Sequence, residues 1–115
     1  MSNKIFVYGT LTKGFYNHRV IEGATLLGTH ETEPEYTMAN LGGFPAVLLD
    51  GEHSIKGEVY EVDEDTFRRA DALEGYPSFY NRIEIDTKYG KAWMYYIKEI
   101  SPHRRIVIIE AGEWK

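Results

Sequence analysis

The chain has 115 residues and a formal net charge of −5, from 13 basic and 18 acidic side chains. A chain of this length forms one domain, spanning residues 1–115, which can bury roughly two-thirds of the surface that its unfolded form exposes. The absence of cysteine excludes disulfides, thiolate metal sites and cysteine nucleophiles. The acidic balance argues against nucleic acid or anionic lipid as a partner, because attraction to either would need a local basic patch.

The N-terminal sequence, MSNKIFVYG, reaches Gly9 too early for a signal peptide, and no apolar run is long enough to span a membrane. We therefore expect a cytoplasmic protein with no membrane partner. The histidines lack the spacing of metal ligands, so we expect no metal and no cofactor: they are His18, His30, His53 and His103. The sequence does not define the oligomeric state, and a monomer is the working expectation.

The first predicted strand, Ile5–Tyr8, runs into a loop with the sequence YGTL. Gly9 and Gly14 have the spacing of a phosphate-binding loop, but Phe15 and Tyr16 stand where that loop needs Lys and Ser or Thr. We therefore exclude a nucleoside triphosphate site. The loop is either a plain glycine turn or a nest, in which backbone N–H groups meet a small carboxylate or a carbonyl oxygen.

Four later segments are rich in β-forming residues and are predicted as strands: Ala46–Leu49, Ile55–Val62, Arg82–Thr87 and Ala92–Ile97. Asp50-Gly51 is predicted as a turn after the first of them, and Tyr89-Gly90 as the turn of a hairpin between the last two. Ile106–Ile109 is apolar enough to be predicted as core. Three polar segments are predicted at the surface: a short helical turn over 17–23, an acidic loop over 31–35 and a basic turn over 103–105.

One clear helix is predicted in the middle of the chain. Asp63 can cap its start, and the two acidic residues that follow suit the positive end of the helix dipole. Gly75 followed by Pro77 predicts its end. Apolar residues that recur every three positions predict its buried face: Phe67, Ala70 and Leu73. Strands and helix together predict an α+β domain on a mostly antiparallel, barrel-like sheet.

Glu74 has an unusual place in the last turn of this helix, where the partial negative charge of the dipole disfavours a carboxylate. Burial beneath the aromatic residues Tyr76, Phe79 and Tyr80 would raise its pKa further. A carboxyl group with a raised pKa is a better proton acceptor near neutral pH. The alternative is an exposed glutamate at a frayed helix end.

The motifs of common hydrolases are missing, since there is no G-x-S-x-G sequence and no His placed beside a Ser by a known pattern. An enzyme built on one carboxylate and a backbone nest needs a substrate that carries its own nucleophile. Several segments along nearly the whole chain form a recognisable set: FVYGTL with Gly14 and NHR at 17–19, GFPAV at 43–47, KGEVYEV at 56–62, DALEGY at 71–76 with Tyr80 and Arg82, AWMY at 92–95 and GEW at 112–114. In order and spacing they resemble the gamma-glutamyl cyclotransferase-like family, which includes gamma-glutamylamine cyclotransferases and plant AIG2-like proteins.

This resemblance implies a small, mixed, mostly antiparallel β-barrel with packed helices, and it implies that Glu74 is the catalytic acid and base. Some bacterial relatives with a similar C-terminal half lack a carboxylate there, whereas this chain keeps it. The resemblance also implies a set of substrate-binding residues: Tyr8, Gly9, Thr10, Leu11, Asn17 and Tyr80. For Tyr80, a purely structural role in the core is the alternative.

The implied reaction releases 5-oxoproline and a free amine from a gamma-glutamyl amide, because the α-amine of the glutamyl unit attacks its own γ-carbonyl. Backbone N–H groups from Gly9 to Leu11 would hold the glutamyl carboxylate or the developing oxyanion. The N-terminal motif is most similar to the gamma-glutamylamine branch. Three alternatives stay open: a catalytically silent binding module of the same fold, an interaction protein with exposed tyrosines, and an oligonucleotide-binding barrel, against which the acidic balance argues.

Overall fold

The computed structural model describes residues 3–9, 21, 23–41, 44–76, 78–98, 107–109 and 112–114. Over these ranges the elements are β1 (Asn3–Val7), β2 (Thr25–Glu31), β3 (Tyr36–Asn40), β4 (Pro45–His53), β5 (Lys56–Val62), α1 (Glu64–Glu74), β6 (Asn81–Thr87), β7 (Gly90–Tyr96) and β8 (Val107–Ile108). The strands form a five-stranded sheet of order β2-β5-β1-β7-β6 and a three-stranded sheet of order β4-β3-β8.

All neighbouring strands pair antiparallel except β1 and β7, which run parallel. The predicted α+β class, with a mixed and mostly antiparallel sheet, is thus confirmed. The predicted hairpin is confirmed as well, with Thr87 of β6 opposite Gly90 of β7.

The predicted barrel-like sheet curls but does not close over the part of the chain that the structure describes. β2 and β6 are the two outer strands of the five-stranded sheet and do not pair with each other. The sheet does curl, since the hydroxyl of Tyr89, in the β6–β7 turn, occupies the position that a Cβ atom would take at Gly28 of β2. A bulge between Leu26 and Gly28 makes room for this ring. The two edges of the sheet are therefore brought together by a side-chain contact and not by backbone hydrogen bonds between β2 and β6.

Strand β1 separates two apolar clusters, because successive side chains of a strand point to opposite faces of the sheet. Ile5 and Val7 belong to the cluster that contains Phe67 of α1. Phe6 and Tyr8 belong to the other cluster. A backbone hydrogen bond of 2.9 Å from the Ile97 N–H to the Val47 carbonyl connects the end of β7 with β4 and joins the two sheets.

Helix α1 begins and ends where the sequence predicts. The side chain of Asp63 accepts a 2.7 Å hydrogen bond from the N–H of Thr66, which satisfies one of the free donors of the first turn. At the other end Gly75 has a φ of 69°, and the N–H of Tyr76 donates to the carbonyl of Asp71 at 2.9 Å. This left-handed ending suits glycine because it has no Cβ.

The predicted turn at Asp50-Gly51 is wrong, because β4 continues through these residues to His53. The strand instead bulges there, with a register shift against β3 between Tyr36 and Thr37. The Thr37 hydroxyl donates to the Asp50 carbonyl at 2.8 Å and holds the extra residues in place.

Two apolar predictions are wrong at particular residues. Leu73 is 41% exposed, since the contacts of α1 with the core end at Ala70. In the predicted core segment 106–109, Val107 and Ile108 are 62% and 42% exposed, because β8 is a short strand at the edge of the smaller sheet. Ile109 does pack against an apolar cluster, and position 106 lies outside the described residues. The acidic loop is exposed at residues 33–35 as predicted. The predicted basic turn over 103–105 and most of the helical turn over 17–23 lie outside the described residues.

Candidate active site

Glu74 is the last residue of α1, and the segment after it folds back over this end of the helix. The N–H of Phe79 donates to the carbonyl of Gly75 at 2.7 Å, and the rings of Phe79 and Tyr80 meet edge to face with centroids 5.0 Å apart. Burial in this setting raises the pKa of Glu74 from its ordinary value of 4.5 to about 7. The carboxyl group is therefore poised to exchange a proton near neutral pH.

Tyr8 and Tyr80 lie close to this carboxyl group. Tyr80 is 5% exposed, and its hydroxyl donates to the carbonyl of Pro45 at 2.5 Å. Tyr8 is 6% exposed, and its hydroxyl donates to the carbonyl of Tyr95 at 2.7 Å. Burial raises the pKa of Tyr8 well above its ordinary value, and the negative charge that Tyr80 and Glu74 can carry adds to this effect. The fold thus brings three of the predicted site residues together.

Gly9 packs directly against Pro45. A Cβ at position 9 would lie 2.8 Å from Cγ and 3.2 Å from Cδ of that proline, so the close approach itself calls for glycine. The anion-binding nest predicted for this loop stays a prediction, because Thr10, Leu11 and Asn17 lie outside the described residues.

A second group of polar residues adjoins Glu74, and no role was predicted for them. The Tyr95 hydroxyl donates to Oδ1 of Asp71 at 2.6 Å, and Nε of Arg82 lies 3.5 Å from the same oxygen. Asp71 and Glu74 are three residues apart, a spacing that places two side chains side by side on a helix. That spacing was the one signal available in the sequence, since the contacts with β6 and β7 depend on the fold.

A cavity of about 500 Å³ opens on the described surface away from Glu74, which does not line it. Tyr8, which lies near Glu74, is one of its lining residues. Its lining carries charges of both signs, including Glu58, Glu113, Lys56 and Lys88. In the ranges that the structure covers, no three His, Asp or Glu side chains are grouped as a metal ion would require. No helix in those ranges has the length and apolarity needed to cross a bilayer.

We expect Glu74→Gln to stabilise the protein more at pH 8 than at pH 5. A carboxyl group whose pKa is higher in the folded state than in the unfolded chain favours folding less as pH rises between the two values, here from 4.5 to about 7. Glu74→Gln should therefore raise the free energy of unfolding by about 2 kcal/mol more at pH 8 than at pH 5. Urea unfolding at both pH values measures this difference. Glu84→Gln, at an exposed position of β6, is the control, and an equal effect of Glu74→Gln at both pH values would contradict the burial of this carboxyl group.

Comparison with known proteins identifies the chain's relatives. The family model described as "Gamma-glutamyl cyclotransferase, AIG2-like" matches residues 5–115. A Vibrio cholerae protein named "Putative gamma-glutamylcyclotransferase" is 44% identical over 114 residues, which cover 99% of this chain and 96% of that protein. The crystal structure of an uncharacterized protein from Pyrococcus horikoshii matches with a TM-score of 0.83 and 34% identity over 96% of this chain and 88% of that one.

An AIG2-like protein from Mus musculus is similar in the same way. Its crystal structure matches with a TM-score of 0.80 and 30% identity, over 90% of this chain and 82% of the mouse chain. The likeness thus extends over most of each chain in sequence and in fold. This protein belongs to the gamma-glutamyl cyclotransferase, AIG2-like family.

Proposed function

We propose that the protein is a gamma-glutamylamine cyclotransferase in which Glu74 carries the proton. The observation that supports this most directly is the half-buried carboxyl group at the end of α1, whose pKa, raised by desolvation to about 7, suits both uptake and release of a proton. Membership of the family supports the reaction class. The substrate would be a small gamma-glutamyl amide.

The reaction needs no nucleophile from the protein. The α-ammonium of the glutamyl unit gives a proton to the Glu74 carboxylate, and the resulting amine attacks the γ-carbonyl carbon to close a five-membered ring. Glu74 gives this proton to the leaving nitrogen, and the bond from the γ-carbon to that nitrogen breaks as the carbonyl re-forms. The ring nitrogen then loses its second proton to the Glu74 carboxylate, which passes it to the departing amine, so that the amine leaves as an ammonium ion. The products are 5-oxoproline and the free amine. Holding the two ends of one molecule together can be worth an effective concentration of about 10⁵ M or more.

The tyrosines shape the site in this proposal and do not supply protons. Because the Tyr8 and Tyr80 hydroxyls donate to main-chain carbonyls, they are already engaged without a substrate. Backbone N–H groups from Gly9 to Leu11 are the proposed donors to the glutamyl carboxylate or to the developing oxyanion. Asn17 is a further proposed contact.

The surface beside Glu74 favours a leaving amine with an apolar chain. Phe79 is 44% exposed, and its ring lies 6.1 Å from that of Phe44. Phe79 also packs on Gly75, the residue after Glu74. Since the leaving nitrogen must reach Glu74, the chain attached to it would pass along these rings. The four methylene groups of a lysine side chain fit such a surface, which supports gamma-glutamyl-lysine isopeptides as substrates.

Release of 5-oxoproline from a panel of gamma-glutamyl compounds tests the proposal. The panel contains the gamma-glutamyl-lysine isopeptide, glutathione and gamma-glutamyl-alanine. We expect turnover, fastest with the isopeptide. If the folded protein binds these compounds saturably in calorimetry yet forms no product, the catalytically silent binding module is the correct reading and the enzyme proposal fails.

Phe79→Ala should reduce discrimination among these substrates. Loss of the apolar ring is expected to lower kcat/KM for the isopeptide by about tenfold, with a smaller loss for gamma-glutamyl-alanine, whose side chain is one methyl group. Steady-state kinetics with both substrates measure the ratio. Leu26→Ala is the matched control, since Leu26 is 45% exposed on β2. An equal loss for both substrates would show that Phe79 does not contact the leaving amine.

A further inference from the structure

The hydroxyl group of Tyr95 lies near two carboxyl groups of α1 and is bonded to one of them. It donates to Oδ1 of Asp71 at 2.6 Å. Burial, this hydrogen bond and the charges of Asp71 and Glu74 all raise the pKa of Tyr95 well above its ordinary value. Tyr95 therefore stands within electrostatic reach of Glu74, with its proton committed to Asp71.

Arg82 is directed to the same carboxylate. Its Nε lies 3.5 Å from Oδ1 of Asp71, and the two side chains are 19% and 17% exposed. The guanidinium carbon is 4.3, 4.4 and 4.9 Å from the ring centroids of Phe67, Tyr76 and Trp93. Three rings thus hold the orientation of the cation through the attraction between a positive charge and an aromatic face.

We propose that Asp71 is a positioning residue for Glu74, because Asp71, paired with Arg82, accepts the hydrogen bond of the Tyr95 hydroxyl and so keeps this donor from the Glu74 carboxyl group. Asp71 does not touch the reacting atoms in this proposal. Its effect is to keep the proton affinity of the Glu74 carboxylate high enough to accept a proton from the substrate. The proposal rests on the proposed function only in taking Glu74 as the proton carrier.

The other groups that face Glu74 agree with this arrangement. The charge of Glu74 acts on Tyr8, which follows β1, and on Tyr95 of β7, and Tyr80, which follows α1, acts on Tyr8. Each of their hydroxyls donates to a different acceptor, namely the Tyr95 carbonyl, the Pro45 carbonyl and Asp71. Without Asp71, the Tyr95 hydroxyl would lose its acceptor, and Glu74, whose charge already acts on Tyr95, would be the carboxylate available to it.

Titration of Glu74 by carbon NMR tests the proposal without any turnover. The protein is labelled at glutamate side-chain carboxyls, and the Glu74 resonance is identified by its loss in Glu74→Gln. We expect Asp71→Ala and the bulkier Asp71→Leu to lower the Glu74 titration midpoint by about one pH unit. Asp71→Asn keeps an acceptor oxygen for Tyr95 and should leave the midpoint closer to that of the wild type. In the double variant Asp71→Leu with Tyr95→Phe, the Glu74 midpoint should return part of the way to the wild-type value.

Tyr95→Phe alone is expected to leave the midpoint unchanged, because its hydroxyl is already bonded to Asp71. A rise of the midpoint in this variant would show that Tyr95 donates to Glu74 in the wild type and would overturn the proposal. An unchanged midpoint in the folded Asp71→Leu protein would overturn it as well, since a purely structural role lowers stability without moving the titration. Neither result depends on whether the protein releases 5-oxoproline.

Discussion

Replacing Glu74 with glutamine is expected to lower the rate of 5-oxoproline release by between about 10² and 10⁴, the usual contribution of a positioned acid or base. Glutamine has nearly the shape of glutamate but cannot take the proton from the α-ammonium or return it to the leaving amine. The loss should appear mainly in kcat, because the substitution leaves the proposed contacts of the glutamyl end unchanged. Steady-state kinetics on the isopeptide measure it.

The pH dependence of the wild type provides an independent check on Glu74. Since the carboxylate form is the base, activity should rise with pH through the pKa of about 7. Glu84→Gln, on the exposed face of β6, should keep both the rate and this profile. A fully active Glu74→Gln protein would exclude the proposed mechanism, and the remaining activity would have to come from another group.

Arg82→Ala is expected to lower the free energy of unfolding by about 2 kcal/mol, between the small effect of breaking an exposed ion pair and the larger effect of breaking a buried one, since this pair is partly buried. The variant leaves the Asp71 carboxylate, 17% exposed, without its cation, and the three aromatic rings without the group they enclose. Arg82→Lys keeps the charge but loses the planar stack, so we expect a smaller loss. Urea unfolding compares the variants.

Arg68→Ala is the matched control for this prediction. Arg68 also pairs with an aspartate of α1, at 4.0 Å from Asp65, but the two side chains are 76% and 71% exposed. Exposed pairs contribute little, so its effect should stay within about 1 kcal/mol. If Arg82→Ala and Arg68→Ala cost the same, the enclosure of Arg82 by the rings has no energetic importance.

Signals carried by neighbouring residues predicted the structure well. The Asp63 cap and the Gly75 ending depend on contacts within a few residues, and both are in the sequence. The position of Glu74 at the helix end follows from them. The burial of that end could be anticipated because aromatic residues follow directly in the chain.

Features that depend on distant contacts were missed. Strand β2 was not predicted, since Gly28 interrupts its pattern and is needed only because Tyr89 packs there from the far end of the sheet. The Asp50-Gly51 pair has the composition of a turn, yet pairing with β3 keeps it inside a strand. The link between Asp71 and Tyr95 likewise requires α1 to pack beside β7, 24 residues further along the chain.

The oxygen of Tyr8 joins the two sheets. Its hydroxyl donates to the Tyr95 carbonyl on β7, and the N–H of Val47 on β4 bonds to it from the other sheet. Phenylalanine would fill the same space but leave a carbonyl and an N–H buried without a partner, at a cost of about 1–3 kcal/mol for each group. The role of Tyr8, the first residue of the YGTL motif, in joining the two sheets therefore explains its presence, independently of any ligand that the domain binds. Relatives that have lost or exchanged their chemistry should still keep this tyrosine, so its presence indicates a shared architecture more than a shared reaction.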